Sequence, residues 1–197
     1  MIAKADILTF INDVLKRSET AAQVAVPIQT VLNDLSNYDF LTETDTGQSL
    51  ADGGLTLNYP TDFKGLVSIV LIDSSSVRQA PLKPLPGGHK EYRELRDNDS
   101  TTGEPEWYSE FDEKFWLWRP AGGTYTTEIE HYRFHPQDVD TILFGDEFRN
   151  AIYFGAAYFV ALKYGLSRYI DIWGSLYERE KEMRRLNIWE QPHIIRG

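Results

Sequence analysis

Cysteine is missing from this chain altogether. That absence excludes disulfide staples and thiolate zinc sites and leaves packing alone to hold the fold. Long apolar runs are missing too: the most apolar stretch, "AIYFGAAYFVAL" from Ala151 to Leu162, spans 12 residues between Asn150 and Lys163, against the roughly 20 that a membrane-crossing helix needs. It reads as a buried helix, not an anchor. The first residues carry no basic, apolar, small-residue leader, which argues against secretion by a cleaved signal. There is no phosphate loop, no Gly-x-Ser-x-Gly, no zinc motif and no dinucleotide fingerprint. Basic charge is scarce. Lys and Arg number 3 against 5 Asp and Glu in residues 1–40, 9 against 18 in residues 41–145, and 8 against 7 in residues 146–197. The acidic excess lies in the middle, where a polyanionic nucleic acid is repelled instead of bound through released phosphate counterions. This argues against sequence-reading DNA binding; an acidic surface by itself only keeps a protein soluble.

What is present suits a folded chain of 197 residues, long enough for one sizeable core or for a helical unit carrying a β insertion. Ile7, Leu8, Ile11, Val14 and Leu15 recur at helical spacing after Asp6, and Val24, Ile28, Val31, Leu32 and Leu35 do so around Pro27. These are two helices ending near Tyr38. From Thr42 the pattern changes to polar punctuation, with Asp52, Gly53 and Gly54 opening "LTLNYP", where Leu55, Leu57 and Tyr59 alternate until Pro60 stops the strand; "LVSIVLI" is a buried strand. "PLKPLPGG" is extended, "HKEYREL" offers one or two helical turns, and "RDNDSTTG" is a polar loop.

Residues 102–134 hold three of the chain's five tryptophans. Trp107 to Glu110, Lys114 to Arg119 and Tyr125 to Phe134 read as strands joined by a turn at Asp112 and Glu113 and by "PAGG", a meander or consecutive hairpins. Along "FWLW", Phe115 and Leu117 face one way and Trp116 and Trp118 the other. Both faces are apolar, so the strand needs cover on both sides, from a second layer of the chain or from a neighbouring subunit.

After "HPQDVD" the helical pattern returns. Asp146 is the expected N-cap of "EFRNAIYFGAAYFVALKY", which Gly165 ends, and Ser167 that of "RYIDIWGSLYEREKEMRRL". The first of these helices is apolar nearly all round, which implies a central position or coverage by another chain. On the second, Ile172, Leu176, Met183 and Leu186 form the expected core stripe and "EREKEMRR" a solvated face. That helix is expected to run out after Leu186, since Pro192 biases Gln191 away from helical angles, leaving an extended tail.

Catalytic candidates are weak. His131 and His135 have the spacing of two metal ligands on a helix, but Pro136 and the strand-like "EIEHYRF" set them at a strand end. Glu104 with Glu106, and Glu128 with Glu130, sit two residues apart as exposed strand residues do, with no convergent partner.

The order of parts resembles the adaptor, or head-to-tail connector, proteins of tailed bacteriophages over about residues 5–188. The resemblance rests on Gly103, Pro105 and Tyr108 ahead of "LWRPAGG", then Tyr132 and Pro136, then Trp173 and Tyr177 in the last helix. It implies an α+β fold: a helical bundle of two N-terminal helices and a C-terminal hairpin (residues 1–41 and 137–187), a small antiparallel β domain inserted at 42–136, and an extended C-terminal arm at 188–197. It further implies a non-enzymatic virion protein at the head-tail interface, made in the host cytoplasm, without cofactor or membrane. A ring of twelve copies would contact the portal above and tail or nozzle proteins below, with DNA passing through unbound. Portal contact falls to Ile188, Trp189, Pro192, Ile194 and Ile195, and subunit contacts to Trp107, Trp116, Trp118, Tyr153 and Phe159. The alternatives are a carbohydrate-binding or cell-wall-degrading module, with the tryptophans as sugar platforms and Glu104 or Glu106 as acid, and a ring subunit of some other assembly.

Overall fold

The computed structural model describes residues 2–190, with side chains as far as Leu186. In chain order the elements are α1 (Lys4–Leu15), α2 (Ala21–Ser36), β1 (Thr42–Asp45), β2 (Ser49–Leu50), β3 (Thr56–Asn58), β4 (Phe63–Asp73), β5 (Lys83–Pro84), α3 (Gly88–Asn98), β6 (Trp107–Phe111), β7 (Lys114–Trp118), β8 (Tyr125–Arg133), α4 (Arg149–Lys163) and α5 (Ser167–Glu190). The architecture is α+β. It divides into two compact units, one formed by the chain up to Leu41 together with Phe134 onward, the other by Thr42–Arg133.

In the helical unit, α2 starts at a capping box: the Thr20 hydroxyl accepts from the Gln23 N–H, and the Gln23 side chain accepts from the Thr20 N–H. Val24, Ile28, Val31, Leu32 and Leu35 are all buried, as their spacing predicts. Pro27 has no N–H to give the Gln23 carbonyl one turn back. The Lys163 ammonium donates to that carbonyl instead, at 3.1 Å. α4 is central, packed against α1, α2 and α5, which cover most of its apolar surface; Leu162 stays exposed, and Tyr153, Phe154, Tyr158 and Phe159 are half-buried. At Gly155 a Cβ would lie 2.8 Å from both Tyr177 Cε2 and Val31 Cγ2, so only glycine admits this approach of α4 to α2 and α5.

Four local expectations for the helices are corrected. Asp146 is not the N-cap of α4: it opens a 3₁₀ turn, Asp146–Phe148, and its carboxylate holds Arg149 at 2.9 Å. Ser167 is the first residue of α5 rather than its cap. α5 continues to Glu190, past Leu186, because Pro192 restricts only the residue before it and forbids nothing at Asn187–Glu190. Finally, Ile172, Met183 and Leu186 are exposed at 44%, 37% and 50%, so they are not core. The face of α5 turned to the core carries Ile170, Trp173 and Tyr177, continued by Lys181 on Asp34. A lysine and a tyrosine hydroxyl can end a buried face when they share a carboxylate, and apolar periodicity does not register them.

The β unit holds two sheets. β8 is the spine of one, antiparallel to β4 along one edge and to β1 and β2 along the other. The second runs β3-β7-β6-β5, antiparallel except for the β5–β6 pair. Leu57, Phe115 and Leu117 from one sheet meet Leu50, Ile69, Leu71 and Ile129 from the other in a common core. The β6–β7 hairpin turns at Asp112 and Glu113, at φ 54° and 55°, the doubly left-handed geometry that matches strand twist. β7 and β8 do not form the expected second hairpin, for they belong to different sheets. The amides of "PAGG" are spent elsewhere: Ala121 N–H donates to Gly54 O at 2.9 Å and Gly122 N–H to Gly103 O at 2.7 Å. The segment "HKEYREL" is the centre of a longer helix, α3, laid against β6 and β7.

Candidate functional site

Any ligand platform in the β unit would sit on the aromatic stretch of β6 and β7. β7 sends Phe115 and Leu117 into the two-sheet core, where both are fully buried. On its other face the Trp116 ring lies 5.7 Å from Tyr92 and 5.5 Å from His89, both on α3, and its Nε1–H donates to Phe111 O at 3.0 Å. His89 stacks on Phe111 with centroids 4.3 Å apart, and burial, with Arg93 second, holds its pKa below the ordinary imidazole value. A layer of the same chain thus covers Trp116. Trp107 and Trp118 are half-buried across the β6–β7 pair, with Lys83 5.6 Å from the first ring and Arg119 5.4 Å from the second. Trp118 Nε1 is buried without a hydrogen-bond partner among the described residues.

The acids and histidines do not converge. Glu104 and Glu106 are exposed, Glu128 is paired with Arg78 at 2.5 Å, and Glu130 accepts from Ser68 at 3.4 Å. His131 is buried inside β8, not at its end, with Nδ1 3.3 Å from Ile129 O and Nε2 without a partner among the described residues. It lines a cavity of about 350 Å³ with Glu43, Asp45 and Thr61. The carboxylates there are committed: Glu43 pairs with Arg133, and Asp45 takes the Gln48 amide and the Gly47 N–H, which hold its pKa below the usual range. Among the described residues that line this cavity, neither acid is free of such a partner.

His135 lies past β8, in the helical unit, and its chemistry is structural. Its amide donates to Ser36 Oγ at 3.0 Å, its Nδ1 lies 2.8 Å from Pro136 O, and its Nε2 accepts from the Leu143 N–H at 3.1 Å. The last bond requires the Nδ1-protonated tautomer. The ring stacks on Phe144 at 5.7 Å, so it ties the loop 135–144 to α2. Among the described residues no group of three or more His, Asp or Glu side chains is placed to hold a metal ion, and no helix is long and apolar enough to cross a membrane.

Tyr153 and Phe159 on α4 are half-buried, Tyr153 against Phe10 at 5.1 Å and Phe159 against Tyr158 at 5.0 Å. Ile188 and Trp189 fall in the last turn of α5, and Pro192, Ile194 and Ile195 lie outside the described residues. The stripe of Ile172, Leu176, Met183 and Leu186, expected to face the core, runs along the outer side of α5, with Leu176 half-buried and the other three exposed. No curated protein matches the chain. A family model described as SU10 adaptor protein matches residues 2–193, in agreement with the resemblance to phage head-to-tail adaptors. Matched over nearly its whole length, the chain belongs to the SU10 adaptor protein family.

Proposed function

We propose that this chain is a structural virion protein that forms a ring beneath the portal and joins capsid to tail, with DNA passing through the ring. The single observation that carries the reading is family membership over residues 2–193. Twelve copies close the ring, with the portal above and tail or nozzle proteins below. The half-buried Trp107, Trp116, Trp118, Tyr153 and Phe159 contribute to contacts between copies. Because residues 41–145 carry 9 basic against 18 acidic side chains, a passage flanked by that segment repels duplex DNA and lets it slide. No bond-making step is involved: the family is one of structural adaptors, and the acids near the aromatic stretch are exposed or already paired.

The C-terminal segment, with Ile188, Trp189, Pro192, Ile194 and Ile195, docks on the portal. Four large apolar residues within eight positions, Ile188, Trp189, Ile194 and Ile195, give a partner's groove something to hold, and Trp189 is the anchor of the set. The deciding experiment mixes the purified chain with its portal and images the complexes by electron microscopy, beside a variant lacking residues 188–197. Rings on portals with the full chain, and none with an equally stable truncated one, are expected. Normal attachment of the truncated chain overturns the docking role, and no ring in either case overturns the adaptor reading.

A further inference from the structure

Along α5, Ile172, Leu176, Arg179, Met183 and Leu186 follow one another in alternating steps of four and three residues, the spacing of a seam that pairs with another surface. The seam faces away from α4: Leu176 is half-buried and the other four are exposed. Its arginines differ from the others of this unit. Among the described residues, Arg17, Arg149, Arg184 and Arg185 each hold a carboxylate, whereas Arg179 and Arg168, which extends the seam by one turn, hold none. In a chain of net charge −10, two unpaired guanidiniums on an apolar stripe mark a surface made for an acidic, apolar partner.

The seam does not suit itself. Parallel two-fold pairing of α5 with its own copy sets Arg179 against Arg179, and so does antiparallel pairing centred on the Ile172–Leu186 stripe. The complementary surface is elsewhere on the helical unit. Val26, on α2, is 72% exposed and rims a shallow cavity of about 310 Å³ with Ala25, Gln29, Gln137, Asp138 and Val139. Asp140 beside it is taken by Lys4 at 2.9 Å. The Asp138 carboxylate accepts the Asp140 N–H at 2.8 Å and meets no lysine or arginine among the described residues. We infer that the α5 seam of one copy docks on the Val26–Asp138 surface of the next, with Arg179 or Arg168 reaching Asp138. This inference rests on the ring reading and deepens it. Two different patches on one chain make a head-to-tail contact that repeats until rotation closes it, and the charge pair fixes the register of an otherwise apolar contact.

The absence of cysteine gives a clean background for the test. Leu176→Cys and Val26→Cys variants are treated with a short bismaleimide, each alone and in equimolar mixture, at high protein concentration. A covalent dimer is expected in the mixture only. Arg179→Glu in the Leu176→Cys chain should lower its yield about tenfold or more, and Asp138→Lys in the Val26→Cys chain should restore it. Circular dichroism checks that each variant is folded. A dimer from Leu176→Cys alone means two-fold pairing and overturns the inference, as does the absence of dimer in the mixture. The ring is scored separately by microscopy of the cysteine-free chain on portals. Rings without the mixed linkage overturn this contact alone, and absent rings overturn the reading beneath it.

Discussion

The Tyr177 hydroxyl donates to Asp34 Oδ2 at 2.5 Å, and Lys181 Nζ reaches the same oxygen at 3.1 Å, so one carboxylate on α2 holds two side chains of α5. Burial first, then the bond to Asp34, pushes the Tyr177 hydroxyl far above its ordinary range. A group whose folded pKa is raised contributes stability that is whole below its unfolded value, about 10 for tyrosine, and is lost as pH rises beyond it. Tyr177→Phe should therefore cost about 1.5–3 kcal/mol at neutral pH, the worth of a hydrogen bond to a charged group, and should flatten the alkaline fall in stability. Urea midpoints from about pH 8 to 11 check it; parallel profiles for the two proteins would sink the assignment.

Glu19 behaves in the opposite sense. Its burial alone would raise the carboxyl pKa, but the Arg17 Nε–H at 2.5 Å and the Tyr164 hydroxyl at 2.8 Å outweigh it and hold the pKa below the usual range. The stability this gives is present above the unfolded glutamate value, about 4.3, and is lost as pH falls through the folded one. Glu19→Gln should lower stability at neutral pH and leave less to lose on acidification. Thermal melts across the acid range measure this, and an unchanged acid limb would show that the pair is idle.

Pro27 and Lys163 form a compensating pair across α2 and α4. The proline leaves the Gln23 carbonyl without its helical donor, and Lys163 supplies one. Lys163→Met should cost about 0.5–1.5 kcal/mol, the net worth of one hydrogen bond. In a Pro27→Ala background the backbone N–H that the substitution introduces serves that carbonyl, and the same lysine substitution should cost near nothing. A double-mutant cycle by denaturant unfolding reads the coupling directly; equal costs in the two backgrounds would refute it.

Much of this fold was legible where one force dominates. The α2 stripe from Val24 to Leu35 is apolar and buried on the same face, and the left-handed Gly165 ends the α4 segment as the pattern predicts. The α5 stripe is hard to read because its buried face is amphipathic: Trp173, Tyr177 and Lys181 pack through rings and stems, the Tyr177 and Lys181 polar ends meet on Asp34, and Trp173 Nε1 is buried with no hydrogen-bond partner among the described residues. The purely apolar Ile172 and Met183 were left to face outward. The β7–β8 crossing was hidden for another reason. "PAGG" has hairpin composition, yet its amides pair with Gly54 and Gly103, which are distant in sequence. α3 was underestimated because its hydrophobic content is slight; Tyr92 is its one buried residue, and the helix is held by ring contacts to Trp116.

Those ring contacts decide the last prediction, whether the aromatic stretch takes sugar or only packs. A sugar platform needs an open indole face, and Trp116 instead has Tyr92 and His89 over it and Phe111 O on its Nε1–H. Trp116→Ala removes a ring that seals α3 to the β6–β7 pair, and should cost about 3 kcal/mol, at the low end for a large aromatic because the ring is only half-buried. Tyr92→Ala should destabilise in the same way, since Tyr92 is buried at the same contact. Combined, the two should cost less than their sum, because each loses its partner in the other's absence. The sugar reading makes the opposite forecast: Trp116→Ala would leave the melting temperature unchanged and abolish quenching of tryptophan fluorescence by cell-wall oligosaccharides. Titration of the intact chain with those oligosaccharides, beside melting curves for the three variants, separates the two. Saturable quenching lost in Trp116→Ala, with stability unchanged, would overturn the packing role, whereas flat titrations with a coupled loss of stability are the expected result.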